Sequence, residues 1–107
     1  MNTQFKKGVL ELLILLIVNK EDMYGYELVE RVSKIVDVNE GTIYPILKRL
    51  TNENYFESYT KESTEGPIRK YYHITATGKK VMESQLREWK KFSDNVNNFI
   101  KRSEENE

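Results

Sequence analysis

Ten consecutive positions near the start of the chain, Val9 to Val18, hold nine apolar side chains and one charge, Glu11. A helix on the surface of a domain shows one apolar stripe, whereas a helix that is apolar nearly all round needs cover on several sides. At about 1.5 Å per residue the run reaches roughly 15 Å, half a bilayer core, which is too short to cross a membrane. Lys6 and Lys7 precede it in the manner of a signal peptide, but Asn19-Lys20-Glu21-Asp22 follow it without a small-residue cleavage site. The run therefore reads as a buried helix over residues 5–19. One small domain can hardly surround such a helix, and a second subunit would complete the cover.

The remaining composition limits what the chain can do. Its 107 residues suit one domain with one modest core, and 32% charged with 11% aromatic residues is an ordinary globular mixture. There is no cysteine and a single histidine, His73, which leaves no disulfide framework, structural zinc site or Cys/His nucleophile. The acidic pairs Glu21-Asp22 and Glu104-Glu105 fall in a turn and a tail. No nucleophile lies near a base in any motif, so neither catalysis, a metal nor a cofactor is expected. The lack of cysteine is compatible with a reducing cytosol, and a cytoplasmic location is the expectation. Net charge is zero, but residues 21–40 carry six acidic and two basic side chains, whereas 66–80 carry Arg69, Lys70, Lys79 and Lys80 and no acid. Screening acts over about 8 Å in cell-like salt, so a local basic face can meet phosphate on a neutral molecule.

Beyond the polar break at 19–22, Leu28, Val29, Val32, Ile35 and Val36 predict a second helix over about Tyr24 to Val36, with Gly25 allowing close packing at its start. A third helix follows over about Glu40 to Glu53, with Ile43, Ile46, Leu47 and Leu50 on its apolar face and Asn54 at a left-handed C-terminal position. Its start is ambiguous. With Asn39 as N-cap, Pro45 removes the backbone bond to Gly41; with Thr42 as cap, it removes none. Tyr55 to Lys61 and Arg69 to Ile74 read as two strands around a turn, Glu62 to Pro67. Thr75 then caps a last helix, about Ala76 to Arg102, and Ser103 to Glu107 form an acidic tail.

The expected fold is mainly α with a small β-hairpin (α+β): a winged helix-turn-helix over residues 1–75, and a long dimerisation helix with its tail over 76–107. In such a fold the third helix is presented to the DNA major groove. Its face opposite the apolar positions carries Gly41, Pro45, Lys48 and Asn52, flanked by Thr42, Tyr44 and Arg49. Thr42 and Tyr44 are candidates for phosphates or base edges, and Lys48 and Arg49 for phosphate clamps. Tyr24, Lys61, Arg69 and Lys70 complete the expected DNA-binding set.

Three stretches carry a resemblance: Met23-Tyr24-Gly25-Tyr26-Glu27-Leu28, Glu40-Gly41-Thr42-Ile43-Tyr44-Pro45-Ile46-Leu47-Lys48-Arg49-Leu50, and Arg69-Lys70-Tyr71-Tyr72-His73-Ile74-Thr75 with Gly78. In this order and spacing the chain resembles the PadR-like transcriptional regulators from about residue 5 to residue 100. Its short length and single C-terminal helix resemble the family's small subfamily. The resemblance implies a dimeric regulator, usually a repressor, released from its operator by a small molecule. Where the family commonly has a Gly-Arg-Pro-Arg stretch in the wing, Gly66-Pro67-Ile68-Arg69 keeps one arginine, and Glu62 and Glu65 flank the turn. Strand-borne phosphate contacts by Arg69 and Lys70 are thus expected rather than deep minor-groove insertion. His73, where the family often has arginine, reads as a surface strand residue.

The last helix, at about 27 residues, would span roughly 40 Å, more than a domain this small can cover. Its stripe, Met82, Leu86, Trp89, Phe92, Val96 and Phe99, steps by three and four as an antiparallel or crossing helix partner requires. Leu86, Trp89, Phe92, Val96, Phe99 and Ile100 are the expected homodimer interface. Trp89 has two compatible readings. It is a seam aromatic, or, as the resemblance implies, a stacking platform for a planar hydrophobic effector, with Phe92, Leu13 and Val96 as its neighbours. The partners expected are double-stranded DNA, a second copy, and such a small molecule. The rival reading is a winged-helix protein–protein interaction module without DNA binding, which the acidic second helix and acidic turn favour.

Overall fold

A computed structural model describes residues 3–63 and 66–105. The chain runs α1 (Thr3–Lys20), β1 (Met23–Tyr24), α2 (Gly25–Ser33), α3 (Glu40–Asn52), β2 (Phe56–Ser63), β3 (Gly66–Ile74) and α4 (Ala76–Glu105). The three strands form an antiparallel sheet in the order β1-β3-β2. Glu65, expected at the wing turn, lies outside the described residues.

One cluster joins every element. Leu10, Ile14, Leu15 and Val18 of α1 meet Leu28 and Val32 of α2, Ile43, Ile46, Leu47 and Leu50 of α3, and Phe56, Tyr72 and Ile74 of the sheet, with Met82 of α4 beside them. At about 1.5–3 kcal/mol for each fully buried large apolar side chain, this cluster dominates the favourable side of folding. It also covers α1 better than the sequence suggests. Leu10, Leu12, Ile14, Leu15 and Val18 are buried within one chain, and Val9, Leu13, Leu16 and Ile17 are half-buried.

The element ends follow local chemistry. Helix α2 stops at Ser33, three residues before the expected Val36, because the Ser33 hydroxyl donates to the Val29 carbonyl at 2.6 Å and the amides of Ile35 and Val36 both turn back to Val32. Ile35, expected in the core, is 58% exposed as a result. Helix α3 starts after Asn39, whose extended backbone (φ −118°, ψ 170°) makes it the N-cap, although its side chain makes no capping bond. Pro45 therefore lies inside the helix, and the Gly41 carbonyl has no amide four residues on to accept from. The other end of α3 closes as a Schellman motif. Asn54 takes φ 65°, its amide donates to Thr51, and the Tyr55 amide donates to Leu50.

Tyr24, expected at the start of α2, instead joins Met23 in β1 and is extended (φ −87°, ψ 159°) just before the helix. They pair with the second strand of the hairpin, Met23 opposite Tyr72 and Tyr24 opposite Tyr71. Thr75 caps α4 as expected: its Oγ accepts from the Gly78 amide at 2.9 Å and donates to the Asn54 carbonyl at 2.7 Å. Helix α4 continues to Glu105, past the expected end at Arg102. Beyond Leu86 almost all of its side chains are exposed, and the molecule measures 62 × 27 × 21 Å.

Candidate nucleic-acid interface

Burial of Ile43, Ile46, Leu47 and Leu50 turns the opposite side of α3 to solvent, so Gly41, Pro45, Lys48 and Asn52 form an exposed strip. Large side chains are few there, and the backbone of the first two turns is open to close approach. The flanks differ. On one, the Tyr44 ring lies against α2, where a β-carbon on Gly25 would come within 2.7 Å of it. Gly25 thus makes room for Tyr44, which remains 41% exposed. On the other flank, Thr42 and Arg49 face a groove shared with Gly8 and Glu11 of α1.

Arg49, expected as a phosphate clamp, is held within the protein. Its guanidinium donates to Glu11 at 2.9 Å and lies 3.6 Å from Glu53. Desolvation opposes its charge, but the bonds to these carboxylates and their negative charge outweigh it and raise the pKa further. Glu11 also accepts from Gln85 of α4 at 3.3 Å. The single acid of the apolar run thereby joins α1 to both α3 and α4, a role its sequence position alone does not announce.

The sheet divides the wing cations between two faces. Lys61 sits opposite Arg69, and Thr60 opposite Lys70. Since successive strand side chains alternate, Lys61 and Arg69 share the outer face with Tyr59 and Tyr71, whereas Lys70 points with Tyr72 toward the core side. Lys61 lies over the Tyr71 ring at 5.2 Å, Arg69 over Tyr24 at 4.6 Å and Lys70 over Tyr72 at 5.8 Å. Burial, followed by the nearby Tyr44 hydroxyl, raises the Tyr72 pKa, so Lys70 and the α3 flank share one neighbourhood.

At the base of the outer face, Asp22 accepts from the Tyr59 hydroxyl at 2.7 Å and pairs with His73 Nδ1 at 2.8 Å. Desolvation raises the Asp22 pKa, but the bonds from Tyr59 and His73 and the positive charges of His73 and Lys61 outweigh it and leave the carboxyl below its usual value. His73 is an exposed strand residue, as expected, with an added tie to the α1–β1 connection.

On α4, Trp89, Phe92, Val96, Phe99 and Ile100 are all exposed, while Leu86 is half-buried. Trp89 and Phe92 pack at 6.3 Å and line an open groove with Gly8, Val9, Leu12 and Gln85. Leu13, expected beside Trp89, faces a different groove with Leu16, Ile17 and Ile35, because one step along α1 turns it by 100°. Leu12 occupies the expected place. Among the described residues no helix is long and apolar enough to cross a membrane, and no group of three or more acidic, histidine or cysteine side chains is placed to hold a metal ion.

A helix pair that presents α3, followed by a three-stranded wing and a projecting C-terminal helix, defines a winged helix-turn-helix regulator. The family model for PadR-like transcriptional regulators matches residues 14–84. The protein belongs to this family, one of regulators rather than enzymes. A PadR-like transcriptional regulator from Bacillus cereus is similar at 44% identity and TM-score 0.82, covering 92% of this chain and 97% of its own. A Streptococcus mutans protein gives 37% identity and TM-score 0.83, with 89% of each chain covered. Bacillus subtilis PadR, in complex with operator DNA, gives 27% identity and TM-score 0.66, covering 73% of this chain and 46% of the longer one.

Proposed function

We propose that the protein is a cytoplasmic, homodimeric repressor that binds specific duplex DNA through α3 and the wing and is released by a planar hydrophobic small molecule. The observation that carries the DNA reading is the exposed, small-residue strip of α3, with Lys70 of the wing over Tyr72 beside the Tyr44 flank. The operator complex of Bacillus subtilis PadR supports the same reading. Thr42 and Tyr44 would face the groove, with Tyr24, Lys48, Lys61, Arg69 and Lys70 on phosphates; Arg49 reaches DNA only by leaving Glu11. Dimerisation is supported by the exposed apolar stripe of α4, and effector binding by the Trp89 groove beside it.

Selection of bound duplexes from a random pool, followed by a salt series, tests the DNA reading. A chain that neutralises several phosphates loses affinity steeply as salt rises. Lys48→Ala should weaken all duplexes alike, whereas Tyr44→Ala should change the preferred sequence. No enrichment and no salt-dependent affinity would leave a protein-binding winged helix. For the effector, planar apolar dyes should quench Trp89 fluorescence in the absence of DNA. Quenching no greater than that of free tryptophan would reduce Trp89 to a packing residue.

A further inference from the structure

The outer face of the sheet carries aromatic rings that no other layer of the described residues covers. Tyr71, on the central strand, lies opposite Tyr24 on one side and Tyr59 on the other, with ring centroids 5.6 Å away in both cases. The Tyr59 ring is nearly parallel to it, at 13°. Tyr26 extends the row, 6.4 Å beyond Tyr24. Both outer-face cations of the wing rest on this row, Arg69 on Tyr24 and Lys61 on Tyr71, within the roughly 6 Å at which a ring face attracts a cation.

We propose that Tyr71 is a positioning residue for DNA binding: with Tyr24 it forms a shelf that holds Lys61 and Arg69 as a preset pair of phosphate contacts. The inference rests on the DNA reading and deepens it by naming what sets the wing charges. Long cationic side chains lose rotamer freedom when they grip a phosphate, and a ring beneath the charge removes part of that loss in advance. A cation over a ring keeps its outer side open to an oxyanion, unlike one closed by a carboxylate, as Arg49 is by Glu11. Carboxylates border this face without closing over either cation–ring pair, and Glu30 binds the Tyr26 hydroxyl at the end of the row. Glu57 pairs across from His73, and Asp22 holds Tyr59 and His73. Asp22 thereby fixes the Tyr59 ring against which Tyr71 stacks.

The test uses the full chain and a mixed-sequence DNA duplex, with affinity measured across a salt series and thermal stability measured in parallel. Tyr71→Phe keeps the ring and should leave affinity and salt slope unchanged. Tyr71→Ile keeps a strand-favouring side chain but removes the ring, and should weaken binding by about 2- to 30-fold and flatten the slope. Lys61→Ala and Arg69→Ala, at exposed positions that leave the core intact, should each flatten the slope by about 0.9. In the Tyr71→Ile background, Lys61→Ala should cost less than it does in the wild type. Wild-type slope in Tyr71→Ile with fully additive losses, equal losses from Phe and Ile, or no slope change in either alanine variant would overturn the proposal while the DNA reading stood. A wild type without salt-dependent duplex affinity would overturn both.

Discussion

At the scale of single residues, chemistry was legible in type but not in partner. His73 reads as a surface strand residue, and it is one; nothing in its spacing shows that Asp22, far back in the chain, will bind it. Arg49 reads as a phosphate clamp because it flanks the correct helix face, and only the packing of α1 brings Glu11 to it. Partners of this kind depend on tertiary approach, which periodicity does not encode. The Asp22 contact predicts a pH dependence with a definite sign. A carboxyl whose folded pKa is depressed contributes stability in full above its unfolded value, and that contribution is lost as pH falls through the folded value. Here that window lies below the usual aspartate value of 3.8. Asp22→Asn should be less stable than wild type at pH 7, by no more than about 1 kcal/mol for so exposed a contact. The two melting curves should converge as the pH falls below about 4. A gap that persisted undiminished in acid would mean that the Asp22 charge contributes nothing.

At the scale of elements, the sequence marks ends well where a side chain acts on its own neighbourhood. Asn54 takes its left-handed backbone and Thr75 its cap, as their residue types require. The Pro45 ambiguity resolves only in three dimensions, where Asn39 is extended and the helix continues through the proline. Strand β1 was not legible, because two residues show no alternation and exist as a strand only through pairing with β3. The junction of α3, β2 and α4 is the tightest of these arrangements. Thr75 ties α4 to the Asn54 and Tyr55 carbonyls, and a β-carbon on Gly78 would lie 2.2 Å from the Tyr55 carbonyl oxygen. That neighbour is backbone and cannot rotate away. Gly78→Ala should therefore destabilise by about 1–3 kcal/mol or more, although alanine favours helices. For a domain of this size each kcal/mol is about 4–8 °C in Tm, so a calorimetric scan decides it. An unchanged or raised Tm would show that α4 shifts freely on the turn beneath it.

At the scale of the whole molecule, α4 leaves exposed the stripe expected of it, whereas α1 is covered more fully than its apolar run suggests. The apolar run of α1 promises a seam, yet one chain buries most of it, because α2, α3, the sheet and the start of α4 surround it. Helix α4 is the element left without cover. Only Gly78 and Met82 are buried along it, while Phe92 is 55% and Phe99 63% exposed. Tertiary packing supplies most helical stability in proteins, so the proposed dimer would add support to the outer turns of α4. In a two-fold dimer each substitution acts twice. Removing one buried Phe per chain at about 1.5–3 kcal/mol should then raise the dimer dissociation constant by roughly 100-fold or more. Phe92→Glu, which also places like charges near the axis, should move the sedimentation profile from dimer to monomer at micromolar concentration and lower the far-UV helical signal, while the compact domain still melts cooperatively. If wild type already sediments as a monomer with its full helical signal, α4 stands alone, and no symmetric pair of α3 helices would be held one DNA turn apart.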